Sequence, residues 1–203
     1  MNRGRLIVFE GLDGSGKSTQ LERLAAALRL RGVPVLATKE PTDGPWGRRI
    51  RAMARSGERV SREEELRWFV EDRREHAARE LAPALAAGQI VLCDRYYLST
   101  VAYQGARGFD PQALLADAEA EFPLPDLALV FEIDPARGLA RVAMRGGVAE
   151  PAFEEIEYLA EVAAVFHALD RPYLVRVDAS GDVDTVERSV RAIVAERLGI
   201  RAS

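Results

Sequence analysis

A glycine-rich segment near the start of the chain carries residues whose spacing predicts chemistry on a phosphate. Residues 11–18 read G-L-D-G-S-G-K-S and fill every fixed position of the G-x-x-x-x-G-K-[ST] pattern. In this pattern the glycines let backbone N–H groups face phosphate oxygens, Lys17 reaches the β- and γ-phosphates, and the Ser18 hydroxyl ligates Mg²⁺. The alternative is a glycine-rich turn that binds nothing. The complete pattern favours a triphosphate site formed by Gly11, Leu12, Asp13, Gly14, Ser15, Gly16, Lys17, Ser18 and Thr19.

The segments on either side of this loop support the same interpretation. Residues 6–9 are a short apolar run of the kind that forms a buried parallel strand. Residues 19–28 place their apolar side chains at helical spacing. A strand, a glycine-rich turn and a helix, in this order, are the context in which the motif binds phosphate.

Strand and helix signals alternate along the rest of the chain. Strands are predicted at Leu6–Glu10, Pro34–Thr38, Gln89–Asp94, Leu127–Ile133 and Tyr173–Val177. Helices are predicted at about 19–31, 62–86, 111–121, 135–145, 152–169 and 183–198. The alternation predicts an α/β domain over residues 1–203, a P-loop nucleoside triphosphate hydrolase fold with a five-stranded parallel sheet flanked by helices. Ligands in such sheets bind beyond the carboxyl ends of the strands.

Composition and charge exclude several classes of function. The chain has 203 residues, of which 48% are hydrophobic and 30% charged, as in a globular domain. Its net charge of −4 provides no basic excess, which argues against a protein that tracks a nucleic acid polymer. The single Cys93 is expected to be a buried thiol. We expect a cytoplasmic protein with no membrane partner, since the chain has neither a signal peptide nor an apolar run of spanning length.

The third predicted strand ends in two residues suited to phosphate chemistry. Asp94 follows an apolar run, the position of a carboxylate that helps hold Mg²⁺. Arg95 comes next and is placed to clamp a phosphate with two parallel hydrogen bonds. The residues at 96–105 are rich in hydroxyl and aromatic groups, which suits a nucleotide pocket and plain packing equally.

Two other segments combine arginine with helical spacing. Phe69 and Arg73 lie four residues apart and would share one helix face. The two side chains could hold a planar base between them, or Phe69 could be a plain core residue. Spacing alone favours the core residue. Arg51 belongs to a basic face at 48–59, with Arg48, Arg55 and Arg59, that is either solvated or directs one arginine at a phosphate.

A third arginine-bearing helix leads toward a pair of glycines. Arg137, Arg141 and Arg145 are spaced four apart before Gly146-Gly147. The pattern predicts a short mobile lid at about 141–154 that carries an arginine to the transferring phosphoryl group. The alternative is a solvated helix face with a glycine stop.

These motifs together resemble those of the thymidylate kinases, and the resemblance covers nearly the whole chain. Residues 9–20 are similar to the family's P-loop, and 39–41 to its Arg-Glu-Pro loop, with Lys39 in place of the Arg. Residues 94–104 resemble its D-R-Y-x-x-S-x-x-A-Y-Q signature. Phe153-Glu154 resembles its lid element, and Asp178-Ala179 its adenine-side loop.

The resemblance implies an enzyme that transfers the γ-phosphoryl group of ATP to dTMP, giving dTDP, with Mg²⁺ as cofactor. It also implies a homodimer. The implied substrate-binding residues are Asp13, Pro41, Arg51, Phe69, Arg73, Arg95, Ser99, Thr100, Tyr103 and Gln104. Ala179 would join the P-loop in binding ATP, and Ser18 and Asp94 would hold the metal.

The resemblance also implies individual roles. Asp13 would hold the sugar 3′-hydroxyl and the acceptor phosphate network. Phe69 and Arg73 would contact thymine, as would Thr100. Arg51 and Arg95 would bind the acceptor phosphate, and Tyr103 would disfavour a ribose 2′-hydroxyl.

The catalytic arginine of this family lies either in the P-loop or in the lid. Here the P-loop has Gly14-Ser15 and no arginine. The resemblance therefore implies a lid arginine, Arg145 first and Arg141 second, that acts with Lys17, Asp13 and Arg95.

Three other functions remain open at this point. The chain could phosphorylate another deoxynucleotide or a deoxynucleoside, act as a P-loop ATPase switch, or be a nucleotide-binding module without catalysis. A panel of acceptors supplied with ATP separates the kinases from one another. Hydrolysis without an acceptor would indicate the switch, and the intact Lys17, Ser18, Asp94 and Arg95 argue against the inactive module.

Overall fold

Five strands form one parallel sheet in the computed structural model, which describes residues 3–57, 60–146 and 153–201. The strands are β1 (Arg5–Gly11), β2 (Val35–Lys39), β3 (Ile90–Asp94), β4 (Leu127–Glu132) and β5 (Leu174–Asp178). Their order in the sheet is β2-β3-β1-β4-β5. The predicted α/β fold class is confirmed, and each predicted strand is present with its ends shifted by no more than one residue.

Helices connect successive strands and cover the sheet. They are α1 (Lys17–Leu30), α2 (Pro45–Ser56), α3 (Arg62–His76), α4 (Ala82–Ala86), α5 (Tyr97–Gly105), α6 (Pro111–Glu121), α7 (Pro135–Gly146), α8 (Phe153–Ala168) and α9 (Val183–Leu198). A π-helical turn, Ala77–Leu81, joins α3 to α4, so the predicted helix at 62–86 is continuous but irregular. No described helix is long and apolar enough to cross a membrane.

The central strand explains why the sheet is covered on both faces. Residues 6–9 of β1 are completely buried, although successive side chains of a strand point to opposite faces. A strand that is apolar on both faces needs a layer of helices on each side. Cys93 of β3 is buried in the same core, as predicted for a structural thiol.

Two helices were not predicted. In α2 the apolar stripe is short, consisting of Trp46, Ile50 and Met53, and only Gly47 and Ile50 are buried, so the arginines dominate the segment. In α5 the run from Tyr97 to Ala102 is buried throughout, which removes the polar face that makes helical periodicity visible. Of the predicted lid at 141–154, residues 147–152 lie outside the described residues.

The P-loop packs directly against the start of α7 through two glycines. Gly14 adopts a left-handed backbone with φ +78°, and a Cβ atom there would lie 2.1 Å from the carbonyl oxygen of Gly138. A Cβ on Gly138 would lie 2.8 Å from the carbonyl oxygen of Asp13. The two backbones approach closely only because neither residue has a side chain.

We expect Gly14→Ala to destabilise the fold more than Gly32→Ala. Both glycines have positive φ, so both variants lose about 1–2 kcal/mol to left-handed strain. At Gly32 no atom lies within 4 Å of the added Cβ, whereas at Gly14 it meets backbone. The clash should cost Gly14→Ala about 1–3 kcal/mol more, measured by urea unfolding. Equal losses would mean that the Gly14–Gly138 approach relaxes freely.

Candidate active site

Lys17 begins α1 and turns its ammonium group back into the P-loop. Its side chain is buried, and Nζ donates hydrogen bonds to the carbonyl oxygen of Leu12 at 3.2 Å and to Asp13 Oδ1 at 3.3 Å. Burial lowers the pKa of Lys17, as does the nearby charge of Arg95, while Asp13 opposes the shift. The ammonium is thus held where the motif needs it, with only part of its charge balanced.

Ser18 and Asp94 meet although they are 76 positions apart in the sequence. The Ser18 hydroxyl donates a hydrogen bond to Asp94 Oδ2. Asp94 Oδ1 is buried and has no hydrogen-bond partner among the described residues. A hydroxyl and a carboxylate with a free buried oxygen are the hard oxygen ligands that Mg²⁺ prefers, so the residues present fit this metal.

Arg95 leaves β3 in an unusual backbone conformation that points its side chain at the P-loop. Its φ is +69°, the only positive value among the described non-glycine residues, and its N–H donates to the carbonyl oxygen of Phe9 at 2.9 Å. The guanidinium donates to Asp13 Oδ1 at 2.7 Å and to Ser99 Oγ at 3.0 Å, and lies 5.3 Å from the Tyr103 ring.

Asp13 is the carboxylate that joins the P-loop to Arg95. Its side chain is 68% exposed and is bound by both Arg95 and Lys17. Desolvation acts to raise the pKa of Asp13, but the charges of Arg95 and Lys17 outweigh it and hold the pKa at about 2. Asp13 is therefore an acceptor of hydrogen bonds, not a proton donor, at neutral pH.

A second carboxylate lies beneath Arg95 and was not predicted from the sequence. Glu10 of β1 is completely buried, and its two oxygens accept from the Tyr96 N–H at 2.9 Å and from the Ser99 hydroxyl at 2.5 Å. Burial raises the pKa of Glu10 to about 7, against the opposing effects of Ser99, Arg95 and Arg73. Glu10 thus anchors both the backbone after Arg95 and the hydroxyl that orients its guanidinium.

A cavity of about 180 Å³ opens on the other side of Arg95. Most of the substrate-binding residues implied by the resemblance line it: Asp13, Pro41, Phe69, Arg73, Arg95, Ser99, Thr100, Tyr103 and Gln104. Phe69 is half-buried and faces this cavity, so it is not the plain core residue that spacing favoured. Glu40, Glu65, Tyr96, Arg107 and Tyr158 complete the lining and were not predicted.

Arg51 does not line this cavity. Its guanidinium donates to the carbonyl oxygen of Pro41 at 2.9 Å and to Asp43 Oδ1 at 2.9 Å. It therefore braces the loop after β2, and Pro41 follows a cis peptide bond there. Asp72 accepts bonds from the N–H and hydroxyl of Thr42 and fixes the same loop from α3.

Helix α7 contributes an arginine that reaches the phosphate-binding loop. Arg141 donates to the carbonyl oxygens of Gly14 at 3.4 Å and Ala179 at 3.1 Å, and so connects the P-loop to the loop after β5. Arg137 donates to the carbonyl oxygen of Ser180. Arg145 lies on the last turn of α7, and its side chain is outside the described residues, as is that of Glu154.

The family model for thymidylate kinase matches residues 9–190 of this chain. The chain belongs to the thymidylate kinase family. It is 46% identical to the thymidylate kinase of Desulfotalea psychrophila over 97% of both chains. It is 46% identical to that of Xanthomonas euvesicatoria pv. vesicatoria over 98% of this chain and 87% of the relative. It is 44% identical to that of Akkermansia muciniphila over 97% of this chain and 94% of the relative.

The predicted resemblance to thymidylate kinases is therefore confirmed, and the individual site roles stay predictions. The structure brings together the P-loop, Asp94, Arg95 and most of the predicted acceptor residues, while Arg51 lies behind the loop that lines the cavity. Glu10 had one signal in the sequence, an acid that ends an otherwise apolar strand. The side chain of His76 on α3, which matches none of the motifs described above, is completely buried beside Glu40.

We expect the stability of this protein to depend on pH through Glu10. Burial raises the pKa of Glu10 from its ordinary 4.5 to about 7. Between these values the folded protein binds a proton that the unfolded chain has lost, so the wild type loses stability as pH rises. Glu10→Gln cannot titrate, and its free energy of unfolding relative to wild type should rise by about 3 kcal/mol across this range. Urea unfolding at successive pH values measures this difference.

The matched control is Glu22→Gln, which removes an exposed carboxylate from α1. Its stability difference from wild type should be flat over the same pH range. A flat difference for Glu10→Gln as well would mean that the folded protein does not hold a proton on Glu10.

Proposed function

We propose that this chain holds ATP at the P-loop and dTMP in the 180 Å³ cavity, and transfers the γ-phosphoryl group directly between them. As a thymidylate kinase, the chain phosphorylates dTMP to dTDP with ATP. The observation that carries the arrangement of the two substrates is the ion pair between Asp13 and Arg95. Because Asp13 belongs to the P-loop and Arg95 lines the cavity, the two substrates share one boundary.

The acceptor would lie with its base deep in the cavity and its phosphate toward Arg95. Phe69 offers a ring for stacking, while Arg73 and Thr100 offer polar groups to the base edge. Arg95 is half-buried, and its guanidinium suits a phosphate because it presents several N–H donors in one plane. Its present partners, Asp13 and Ser99, hold it at the mouth of the cavity. We assign it the task of aligning the acceptor phosphate for in-line attack.

The donor side would use the P-loop and the metal ligands. Lys17 lies in the loop with part of its charge unbalanced, which favours a γ-phosphate nearby. We propose that Ser18 and Asp94 hold Mg²⁺, which when bound neutralises charge on the β- and γ-phosphate oxygens. The protein contributes position and charge stabilisation, because phosphoryl transfer needs little covalent chemistry from the enzyme.

A panel of acceptors tests the proposed substrate. ATP and Mg²⁺ would be supplied with dTMP, dUMP, dCMP, dGMP or thymidine, and ADP formation would be followed. We expect the highest kcat/KM for dTMP, because Phe69, Arg73 and Thr100 all face the base. A higher value for another acceptor would overturn the assignment of the base. ADP formation without any acceptor, at the same rate, would indicate an ATPase switch.

Variants of Arg141 and Arg145 on α7 test which of these arginines stabilises the charge on the transferring phosphoryl group. Arg145→Ala should lower kcat by about 10³-fold with little change in the KM for ATP, as expected for an arginine that contacts only developing charge. Arg141→Ala should mainly raise the KM for ATP, because Arg141 bonds the backbone of Gly14 and Ala179. Steady-state kinetics with saturating dTMP measure both.

Arg137→Ala is the control for these variants. Arg137 is exposed on the same helix one turn earlier, and its side chain hydrogen-bonds only the loop at Ser180 among the described residues, so both constants should stay near the wild-type values. A larger loss of kcat in Arg141→Ala than in Arg145→Ala would make Arg141 the catalytic arginine.

We also propose that the chain is a homodimer and that it works in the cytoplasm. Both proposals follow from the family, and the single buried Cys93 is consistent with a reducing compartment. Light scattering on the purified protein would give twice the monomer mass for a dimer.

A further inference from the structure

Arg73 is a buried cation whose orientation is set by other side chains. It is 2% exposed and lies between the rings of Tyr96 and Phe122, 5.3 and 5.5 Å from their centres. Its Nε donates to Glu40 Oε2 at 2.9 Å, and Nη2 donates to Thr100 Oγ1 at 2.9 Å and lies 2.8 Å from the same Glu40 oxygen. Nη1 makes no hydrogen bond to the described residues. Arg73 lines the acceptor cavity.

Glu40 is held in turn by His76. The other carboxylate oxygen of Glu40 lies 2.9 Å from His76 Nδ1, in a region where both side chains are buried. On its far side, His76 Nε2 lies 2.8 Å from Thr38 Oγ1, whose hydroxyl donates to Glu80. A continuous chain of hydrogen bonds therefore runs from Thr38 to Thr100 through three buried side chains.

This chain crosses the wall between two cavities. Thr38 and His76 border a larger cavity of about 580 Å³ on the β2 side, while Glu40 and Arg73 border the acceptor cavity. A buried arginine without its carboxylate would be an uncompensated charge, so Glu40 is needed simply to keep Arg73 inside the fold. His76 does not neutralise the charge of Arg73. It affects Arg73 only by orienting the Glu40 carboxylate.

We propose that Glu40 and His76 are positioning residues that fix the plane of the Arg73 guanidinium and so set the selectivity for the acceptor base. This inference rests on the proposed function, since it concerns the same cavity. A guanidinium has N–H donors and no acceptor. With Nε and Nη2 occupied, the remaining donors select a carbonyl oxygen at position 4 of a pyrimidine over an amino group. Selectivity then depends on how rigidly the guanidinium is held.

A metal site is a second interpretation of the same cluster, and the contacts disfavour it. Ligand atoms of Glu40, His76 and Cys93 lie within 4.8 Å of one another. However, both oxygens of Glu40 are already bonded, one by Arg73 and one by His76. Burial raises the pKa of the Cys93 thiol well above its usual range, whereas a metal ligand must be a thiolate. The cluster is therefore a hydrogen-bond chain.

The test compares dTMP with 5-methyl-dCMP, which differs at position 4 of the base. Competition against dTMP phosphorylation gives the Ki of 5-methyl-dCMP, and its ratio to the KM of dTMP measures selectivity. His76→Ala should lower this ratio about tenfold, mainly through a higher KM for dTMP, since one orienting hydrogen bond is lost. The KM for ATP should not change, because the hydrogen bonds of His76 to described residues go to Thr38 and Glu40 and none to the P-loop.

Two further variants separate positioning from packing. His76→Asn places an amide N–H where Nδ1 lies and should recover most of the selectivity through its bond to Glu40. Thr38→Val removes the bonds of Thr38 to His76 and to Glu80, both on the side of His76 away from Glu40, and should leave the ratio near the wild-type value. Unchanged selectivity in folded His76→Ala would overturn the inference.

If His76→Ala does not fold, Glu40→Gln decides the question. Glutamine keeps the size of Glu40 but offers one acceptor oxygen in place of two, so Arg73 and His76 cannot both be bonded as before. Thermal unfolding would establish that this variant is folded, and an unchanged ratio would then overturn the proposal. If the wild type did not phosphorylate dTMP, the proposed function itself would be overturned. That result is distinct from an unchanged selectivity ratio in the variants, which would overturn only the role of Glu40 and His76.

Discussion

The register between β1 and β3 is the constraint on which the site depends. Phe9 pairs with Asp94, so the P-loop and the Asp94-Arg95 pair leave the sheet at the same height. Because the strands are parallel and adjacent, everything that follows them meets at one edge. The Ser18–Asp94 bond and the Asp13–Arg95 ion pair both follow from this alignment. A shift of one residue would turn Asp94 to the other face of the sheet.

The ionisable groups buried beneath this edge are tolerated because each is hydrogen-bonded, and Arg73 and Arg95 are also ion-paired. Glu10 supports Arg95 through Ser99, and Glu40 supports Arg73. Removing one partner would leave an isolated charge away from water, which costs far more than the pair contributes. Arg95 also bears the strain of a left-handed backbone, about 1–3 kcal/mol. Its bonds to Phe9, Asp13 and Ser99 offset that strain and aim the guanidinium at the acceptor cavity.

How well the sequence predicted each element depended on how local its signal was. The central strands β1, β3 and β4 were found because buried parallel strands are uninterrupted apolar runs. Helix α5 was missed because nearly all of its side chains are buried, which erases the periodic pattern. Phe69 shows the same limit within the site. Its spacing with Arg73 favoured a core residue over a base-stacking ring, and only the packing of α3 against α5 leaves it facing a cavity.

The sequence by itself determined the triphosphate loop, the succession of strands and helices, and membership of the thymidylate kinase family. The signal for each of these lies in neighbouring residues or in short spacings, because backbone geometry relates such spacings to helices, strands and turns. The partners of the arginines were decided only by the tertiary structure. Arg51 pairs with Asp43, Arg73 with Glu40 and Arg95 with Asp13. The sequence contains many acidic residues, and a long, flexible arginine side chain could pair with several of them. Strand order and helix packing decide which acidic residue lies within reach of each arginine.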